Sequence, residues 1–433
     1  SQLAHCKSSV DWRARCSTAS SGKTAGQAGA SRQLPITTRP DARVLQQTFN
    51  GRLHIATKSV IYYSMLYIIT LPNLLSETHM TQLLKGRAAT DNPHNRYSQH
   101  QREDYDDGWD IEETAQPAPA TRVEFWPAKS IISRNQSPDI PFSQSINPYQ
   151  GCEHGCIYCY ARPSHAYWGY SPGLDFETRL IAKPNAAALL REELAKPAYR
   201  PSVICLGSNT DPYQPIERQQ QLTRSILQVM LETRHPLTII SKNALIERDL
   251  DLLQPLAEKK LVQVLISLTS LDNTLSRRLE PRASSPGRRL QAIRKLSDAG
   301  IPVGVLTAPL IPALNDQYLE QMLTLAHEHG AISASYVLLR LPQEVAGLFE
   351  QWLQTCYPER AEHVLSLVRQ SRQGQLNQSG FGQRMRGEGE FARMIAQRFR
   401  LAYQRLGFRQ MRMDELDFSQ FCRPPASGQL TLF

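Results

Sequence analysis

The chain of 433 residues is long enough for two or three domains, or for one large α/β domain with extensions. Its net charge of +9 is concentrated in residues 1–79, which hold nine Lys or Arg against three acidic residues. The rest is nearly neutral, which excludes a basic field over the whole molecule and leaves only a local groove for polyanions. Eight scattered cysteines exclude a disulfide framework and favour a reducing cytoplasm.

The first 140 residues show little that could build a core. Residues 1–79 are rich in Ser, Ala and Gly without periodicity, which predicts disorder. Their apolar run at 60–75 is interrupted by Pro72 and is shorter than the ~20 residues of a membrane helix, so we expect no membrane anchor. Met80 is a plausible true start, with residues 1–79 upstream of it. Residues 80–140 are polar and are interpreted as a linker.

From residue 141 onward, short apolar runs alternate with amphipathic helical segments. The apolar runs are nearly continuous, as expected for strands covered on both faces, and each precedes a helical pattern. Six β/α units in series predict a parallel sheet, either doubly wound or curled into part of a barrel. In both folds, ligands bind at the carboxyl ends of the strands. We expect this core domain to span 141–345 and a helical C-terminal cap to span 346–433.

Three cysteines lie within eight positions after the first of these strands, at Cys152, Cys156 and Cys159. A structural zinc site closes with four ligands, and the nearby candidates for a fourth are His154 and His165. Free structural thiols have no reason to crowd beside glycines. Iron–sulfur clusters are held by Cys thiolates, and a four-iron cluster on three thiolates leaves one iron free.

The Cys-x3-Cys-x2-Cys spacing, with the aromatic Tyr158 just before the last cysteine, resembles the radical S-adenosylmethionine (SAM) superfamily. The resemblance implies an enzyme with a partial (β/α)6 barrel and a 4Fe-4S cluster on the three cysteines. It also implies that the free iron chelates SAM, and that a reductant such as flavodoxin or ferredoxin drives its cleavage to a 5′-deoxyadenosyl radical. That radical abstracts hydrogen from a substrate, while the protein supplies position and exclusion of water.

Other stretches resemble a narrower branch, that of spore photoproduct lyase and DNA repair photolyase-like proteins. They are GCEHGCIYCYARP (151–163), GSNTDPYQPIE (207–217) and SKNALIERD (241–249), while LEPRASSPGRRLQAI (279–293) and GVLTAPLIPALND (304–316) resemble one bacterial subgroup of it. This kinship favours a nucleic-acid substrate. Modification of a peptide, a tRNA or a small molecule is the alternative, and a non-enzymatic metal-stabilised binding module is a third class.

The resemblance also implies roles for individual residues. Ser208, Lys242 and Ser267 follow or end the second, third and fourth strands and match cofactor-contacting positions. We place Tyr158 among the cofactor-binding residues as well. Tyr160 matches a tyrosine that relays hydrogen atoms in the lyase, and it is the expected catalytic residue. Ser208, Lys242 and Ser267 all fall at strand carboxyl ends, where the fold requires ligand residues.

One departure from the lyase pattern concerns hydrogen return. The lyase carries a hydrogen-donating cysteine directly before the serine matched by Ser208, whereas this chain has Gly207 there. The nearest thiol, Cys205, is interpreted as a packed core residue, because free Cys is among the most buried residue types. Reversal of a thymine dimer through the lyase's relay is therefore not expected.

The remaining candidates have structural alternatives. Glu280 and Arg282 could hold the cofactor carboxylate or a substrate phosphate, or form a salt bridge at a helix entry. Tyr213 and Gln214 are candidates for the substrate mouth. The basic loop GQRMRG (382–387) together with RMIAQRFR (393–400) could bind a phosphate backbone, although an amphipathic helix with a charged outer face is the commoner explanation.

Overall fold

The computed structural model describes residues 84–98 and 120–425, so the expectations for residues 1–79 lie outside the described residues. In chain order the strands β1 to β10 are Arg122–Phe125, Ile132–Arg134, Gln144–Ile146, Tyr149–Gln150, Arg179–Ala182, Ile204–Leu206, Leu237–Ser241, Val262–Ser267, Val303–Leu310 and Ser333–Leu338. The helices α1 to α11 are Asp175–Thr178, Ala186–Ala195, Glu217–Gln220, Leu222–Glu232, Leu250–Glu258, Asn273–Leu279, Pro286–Asp298, Leu319–Glu328, Val345–Cys356, Pro358–Gln370 and Gly389–Arg405.

The main sheet has the strand order β10-β9-β8-β7-β6-β3-β2. Strands β3 and β6 to β10 run parallel, and β2 pairs antiparallel with β3 at one edge. Successive parallel strands are neighbours throughout, whereas a doubly wound sheet reverses its strand order at a switch point. The sheet therefore curls in one direction, which confirms the predicted partial (β/α)6 barrel.

The helices cover this sheet because each presents one apolar stripe to it. Helix α4 illustrates the rule, since it buries Ile226, Leu227 and Met230 completely. Each such side chain contributes about 1.5–3 kcal/mol by leaving water. Strands β3, β6, β7 and β8 are buried along nearly their whole length, and in β8 only Leu265 is partly exposed. The core thus lies between the curled sheet and its outer helices, which leaves the strand ends free for polar residues.

The segment 80–140 is not merely a linker, and here the sequence interpretation was wrong. Strand β1 pairs parallel with β5 in a second sheet of order β1-β5-β4. Ala88 and Ala89 are buried, and their backbone N–H groups donate to the Glu177 carboxylate at 3.1 and 3.0 Å. Small residues and backbone pairing carry no hydrophobic periodicity, so the packing left no pattern to recognise.

The C-terminal region is helical, as expected. It contains α9 to α11, and a loop over 371–388 joins α10 to α11. Helices α9 and α10 bury Phe349, Trp352 and Val364 in a second core cluster. None of the helices in the described part of the chain is both long and apolar enough to span a membrane.

Candidate active site

A cavity of about 580 Å³ opens at the carboxyl ends of the barrel strands. The three clustered cysteines line it together with residues that follow or end β6, β7 and β8. Of the predicted site residues it brings together Cys152, Cys156, Cys159, Tyr158, Tyr160, Ser208, Lys242 and Ser267. Residues distant in sequence thus meet in one chamber, at the edge where the fold requires a ligand site.

Two glycines make the tight turns of the cysteine loop possible. Gly151 and Gly155 have φ values of 74° and 64°, in the left-handed region that other residues avoid. A Cβ on Gly151 would approach Leu180 Cδ2 to 2.7 Å and the Phe176 carbonyl oxygen to 3.0 Å. The loop therefore packs directly on the second sheet and holds its sulfurs towards the cavity.

Arg162 fixes the same loop from behind. Its buried guanidinium donates to the carbonyl oxygens of Cys156 at 2.9 Å and Gly155 at 3.2 Å, and it pairs with Glu177 at 2.5 Å. The Glu177 carboxylate also accepts the N–H groups of the 88–89 segment. A buried charge is tolerated when it is paired and fully hydrogen-bonded, and this one orders the cysteine backbone.

Tyr213 and Gln214 do not line a substrate mouth, contrary to expectation. Both are completely buried beneath the cysteine loop. The Gln214 side chain accepts from the Glu153 N–H at 3.0 Å and donates to the Gly151 carbonyl oxygen at 3.3 Å. The turn after β6 therefore supports the cysteine loop rather than facing the cavity opening.

The three sulfurs line one cavity, and Cys thiolates are ligands of iron–sulfur clusters as well as of zinc. Burial raises the pKa of the Cys156 and Cys159 thiols, with Glu280 adding to the effect at Cys156. Such thiols ionise when a metal centre supplies the compensating charge.

The two histidines near the cysteine loop, His154 and His165, differ in their surroundings. His154 Nδ1 lies 3.3 Å from an Asp211 oxygen, and its Nε2 lies 3.2 Å from Asn243 Nδ2. Burial opposes its charge, but the Asp211 carboxylate raises the pKa of His154 to about 10. His165 is buried against Tyr170 and Phe176, away from the cavity lining. His154 therefore lies in the cavity lining beside Cys152, with its nitrogens near Asp211 and Asn243, whereas His165 lies outside the lining.

Ser267 brings a buried hydroxyl without a partner to the cavity, and Lys242 brings an ammonium group. Ser267 ends β8, is 0% exposed, and its Oγ has no hydrogen-bond partner within the described ranges. Lys242 directly follows β7, and its backbone N–H donates to Asp211 at 2.8 Å. Burial disfavours the ammonium charge, yet Cys156 and Glu280 raise the pKa of Lys242. Buried polar groups of this kind normally have partners, so the site fits a polar, partly anionic ligand.

Glu280 forms a salt bridge at the entry of a helix, which was the structural alternative to cofactor binding. Its carboxylate pairs with the buried Arg289 of α7 and accepts the Tyr158 hydroxyl. Arg289 also donates to the Ser267 carbonyl oxygen at 3.1 Å. The pair therefore fixes both the Tyr158 ring and the end of β8. Sequence reasoning missed Arg289, because an Arg in an amphipathic helix usually lies in water.

Arg282 does not reach the cavity. Its guanidinium pairs with Glu153 at 3.0 Å and donates to Thr121 Oγ1 at 3.3 Å, and it is absent from the cavity lining. The expected contact to the cofactor is therefore corrected. The side chain instead ties the turn after α6 to the cysteine loop and to the start of β1.

Tyr160 lies at the cavity opening and is 49% exposed. Its hydroxyl donates to the Ser208 carbonyl oxygen, so the expected relay tyrosine and the expected cofactor contact touch each other. Cys205 is completely buried in β6 and does not line the cavity, as a packed core thiol should be.

Gly207 has no room for a side chain. Its φ is 89°, and a Cβ there would lie 2.2 Å from the Ile240 carbonyl oxygen and 2.8 Å from Pro212 Cδ. Backbone cannot yield as a flexible side chain can. A cysteine at this position would require both the strand end and the following turn to move.

The chain was compared with protein families, with individual proteins and with solved structures. A family model described as the radical SAM superfamily matches residues 146–326. An uncharacterized protein of Mycobacterium bovis is 37% identical over 232 residues, covering 53% of this chain and 68% of that protein. One from Methanocaldococcus jannaschii is 29% identical over 238 residues, covering 55% and 84%. A structure of spore photoproduct lyase with dinucleoside spore photoproduct is 18% identical, with a TM-score of 0.48 and coverage of 66% and 80%.

Proposed function

Because the chain belongs to the radical SAM superfamily, we propose that it is an enzyme carrying a 4Fe-4S cluster on Cys152, Cys156 and Cys159. The proposal includes SAM as the co-substrate, a flavodoxin or ferredoxin as reductant, and a cytoplasmic location. It also places the core domain at residues 141–345 and the helical C-terminal cap at residues 346–433. When bound, the cluster supplies the electron that cleaves SAM to a radical able to abstract hydrogen from a substrate.

The residues of the chain prepare the cavity for that ligand. Lys242 and Ser267 offer a cation and a hydroxyl to the carboxylate of SAM, and both lack a competing side-chain partner among the described residues. The paired Asp211 and His154 hold the backbone of Lys242 in place. Tyr158 presents its ring to the cavity, because Glu280 holds its hydroxyl away. These groups would bind and orient the cofactor in the cavity.

The proposed substrate class is nucleic acid, on the sequence resemblance to the photolyase-like branch. The reaction outcome should differ from that of the lyase, because the backbone around Gly207 leaves no room for a hydrogen-donating cysteine. Tyr160 is the proposed hydrogen-transfer residue. It lies at the opening, where both cofactor and substrate would meet.

The observation that carries the proposal is the convergence of three cysteines, Lys242 and the unpartnered Ser267 hydroxyl on one cavity. Anaerobic reconstitution with iron and sulfide tests it. Replacing any one of Cys152, Cys156 or Cys159 with Ala should abolish the four-iron cluster, whereas Cys205→Ala should retain it. A colourless wild-type protein that binds one zinc tightly would refute the assignment.

A further inference from the structure

Two arginines line the outer part of the cavity, and both come from outside the region matched by the family model. Arg340 follows β10, and Arg384 lies in the loop between α10 and α11. Among the lining residues the single carboxylate is Asp211, which is engaged by His154 and the Lys242 backbone. Asp139, outside the lining, pairs with Arg384, so Arg340 supplies the positive charge of the opening that has no ion-pair partner among the described residues.

Arg340 differs from the other buried or half-buried arginines near the site. Within the described ranges no carboxylate lies within 4.0 Å of its guanidinium and no hydrogen bond engages it. Its contact is with the Tyr160 ring, whose centroid lies 5.2 Å from its Cζ. By contrast, Arg384 pairs with Asp139 at 2.5 Å. Partial burial lowers the pKa of Arg340, because burial disfavours the charged guanidinium. A bound anion would stabilise that charge.

The segments that carry the two arginines are held by one residue, the buried Arg372. Its guanidinium donates to the carbonyl oxygens of Leu338 at 2.6 Å and Leu339 at 3.0 Å, at the end of β10. It also donates to the Arg384 carbonyl oxygen at 2.9 Å. Arg340 and Arg384 are thus presented from a common support rather than from independent loops.

Each arginine lies over an exposed aromatic ring. Tyr160 is 49% exposed beneath Arg340, and Phe381 is 62% exposed with its centroid 4.9 Å from the Arg384 Cζ. Exposed rings interleaved with guanidinium groups are typical of single-stranded nucleic-acid grooves, where bases stack and phosphates pair with arginine. A peptide carboxylate would use the charges but not the rings.

We propose that Arg340 binds a backbone phosphate of a single-stranded nucleic-acid substrate, while Phe381 and Arg384 hold the flanking nucleotide. The planar guanidinium of Arg340 can donate from two nitrogens to the oxygens of one phosphate while its face rests on the Tyr160 ring. This inference rests on the proposed function, because the bound strand delivers its reacting nucleotide to the cavity that holds the cofactor. It adds the cap residues that select the substrate.

The test is fluorescence anisotropy of the reconstituted protein with labelled single-stranded DNA and RNA of about ten nucleotides, within the site size of single-strand binders. Arg340→Ala should weaken binding about tenfold or more, the effect of one charge-assisted contact. It should also lower the slope of log K against log salt by about 0.7. Phe381→Ala should weaken binding with the salt slope unchanged, since stacking releases no counterions.

Two controls separate a local contact from a general loss of charge or fold. Arg393→Ala removes an exposed guanidinium of α11, so affinity and slope should stay at wild-type values. Arg340→Lys keeps the charge without the fork and should restore part of the affinity. Iron content is measured for every variant, so a folding defect is recognised directly.

Equal affinity of wild type and Arg340→Ala for both strands would overturn the inference. So would tighter binding of a poly-glutamate peptide than of either nucleic acid. In both cases a protein that still assembles its cluster and cleaves SAM would leave the proposed function standing. Loss of cluster in the wild type would instead remove the proposed function itself.

Discussion

Lys242 and Ser267 are the residues proposed to bind the carboxylate of SAM. Lys242→Ala should weaken SAM binding about tenfold to a hundredfold, as expected for a lost charge-assisted hydrogen bond, while the cluster stays assembled. Anaerobic titration calorimetry beside iron analysis measures both quantities. Lys196→Ala, on an exposed side chain, is the matched control. A parallel loss of iron in Lys242→Ala would mean that the lysine supports the fold instead.

Gly207 makes a second prediction at this scale. Gly207→Ala should lower the free energy of unfolding by about 2 kcal/mol or more, from left-handed strain and overpacking against Ile240. Gly347→Ala, in α9 with open space around it, should instead be neutral or stabilise by up to about 1 kcal/mol. Chemical denaturation compares the two. Equal free energies of unfolding for the two variants would show that the end of β6 tolerates a side chain. A thiol at position 207 would then be feasible.

At the residue scale, the sequence located the site wherever a motif or a strand end marked it. The three cysteines, Lys242 and Ser267 were predictable in this way. Arg282 and Arg289 were not, because both are arginines near one turn and only the fold decides which is buried. Arg289 lies on the inner stripe of α7 beside Glu280, whereas Arg282 points to Glu153.

The elements of the barrel were predictable because their pattern is physical. Strands buried on both faces are nearly continuous apolar runs, and β7 and β8 coincide with such runs. The second sheet was not predictable. Its β4 has two residues and β1 has four with partly exposed faces, so neither gives an apolar run or a clear alternation.

The support of the cysteine loop gives a prediction at the scale of elements. Arg162→Ala should destabilise the protein by about 3–5 kcal/mol, because it leaves Glu177 as an unpaired buried charge. Iron content after reconstitution should fall as well, since the carbonyls of the loop lose their donor.

Thermal unfolding and iron analysis measure these effects. Arg191→Ala removes an exposed ion pair with Glu232 and should change stability by no more than about 1 kcal/mol. Full iron and an unchanged melting temperature in Arg162→Ala would show that the loop holds its shape without this guanidinium.

At the scale of the whole molecule, residues 84–98 contact the rest of the described chain. Residues 88–89 donate to Glu177, and Arg96 pairs with Glu344 at 2.8 Å at the start of α9. A chain beginning at Met80 should therefore keep its solubility and cluster content, whereas one beginning at Gln101 should lose both. Soluble yield and iron per chain are the readouts. Loss of cluster in the chain from Met80 would show that residues 1–79 contribute to the core after all.

The claim that unites the fold, the cysteines and the polar groups of the cavity is that the loaded protein binds and cleaves SAM. The direct measurement uses the reconstituted wild type, reduced by dithionite under anaerobic conditions, with SAM as the sole addition. Slow formation of methionine and 5′-deoxyadenosine, together with a change in the electron paramagnetic resonance signal on adding SAM, is the predicted result. A fully loaded, reduced cluster that gives neither product nor spectral change would contradict it.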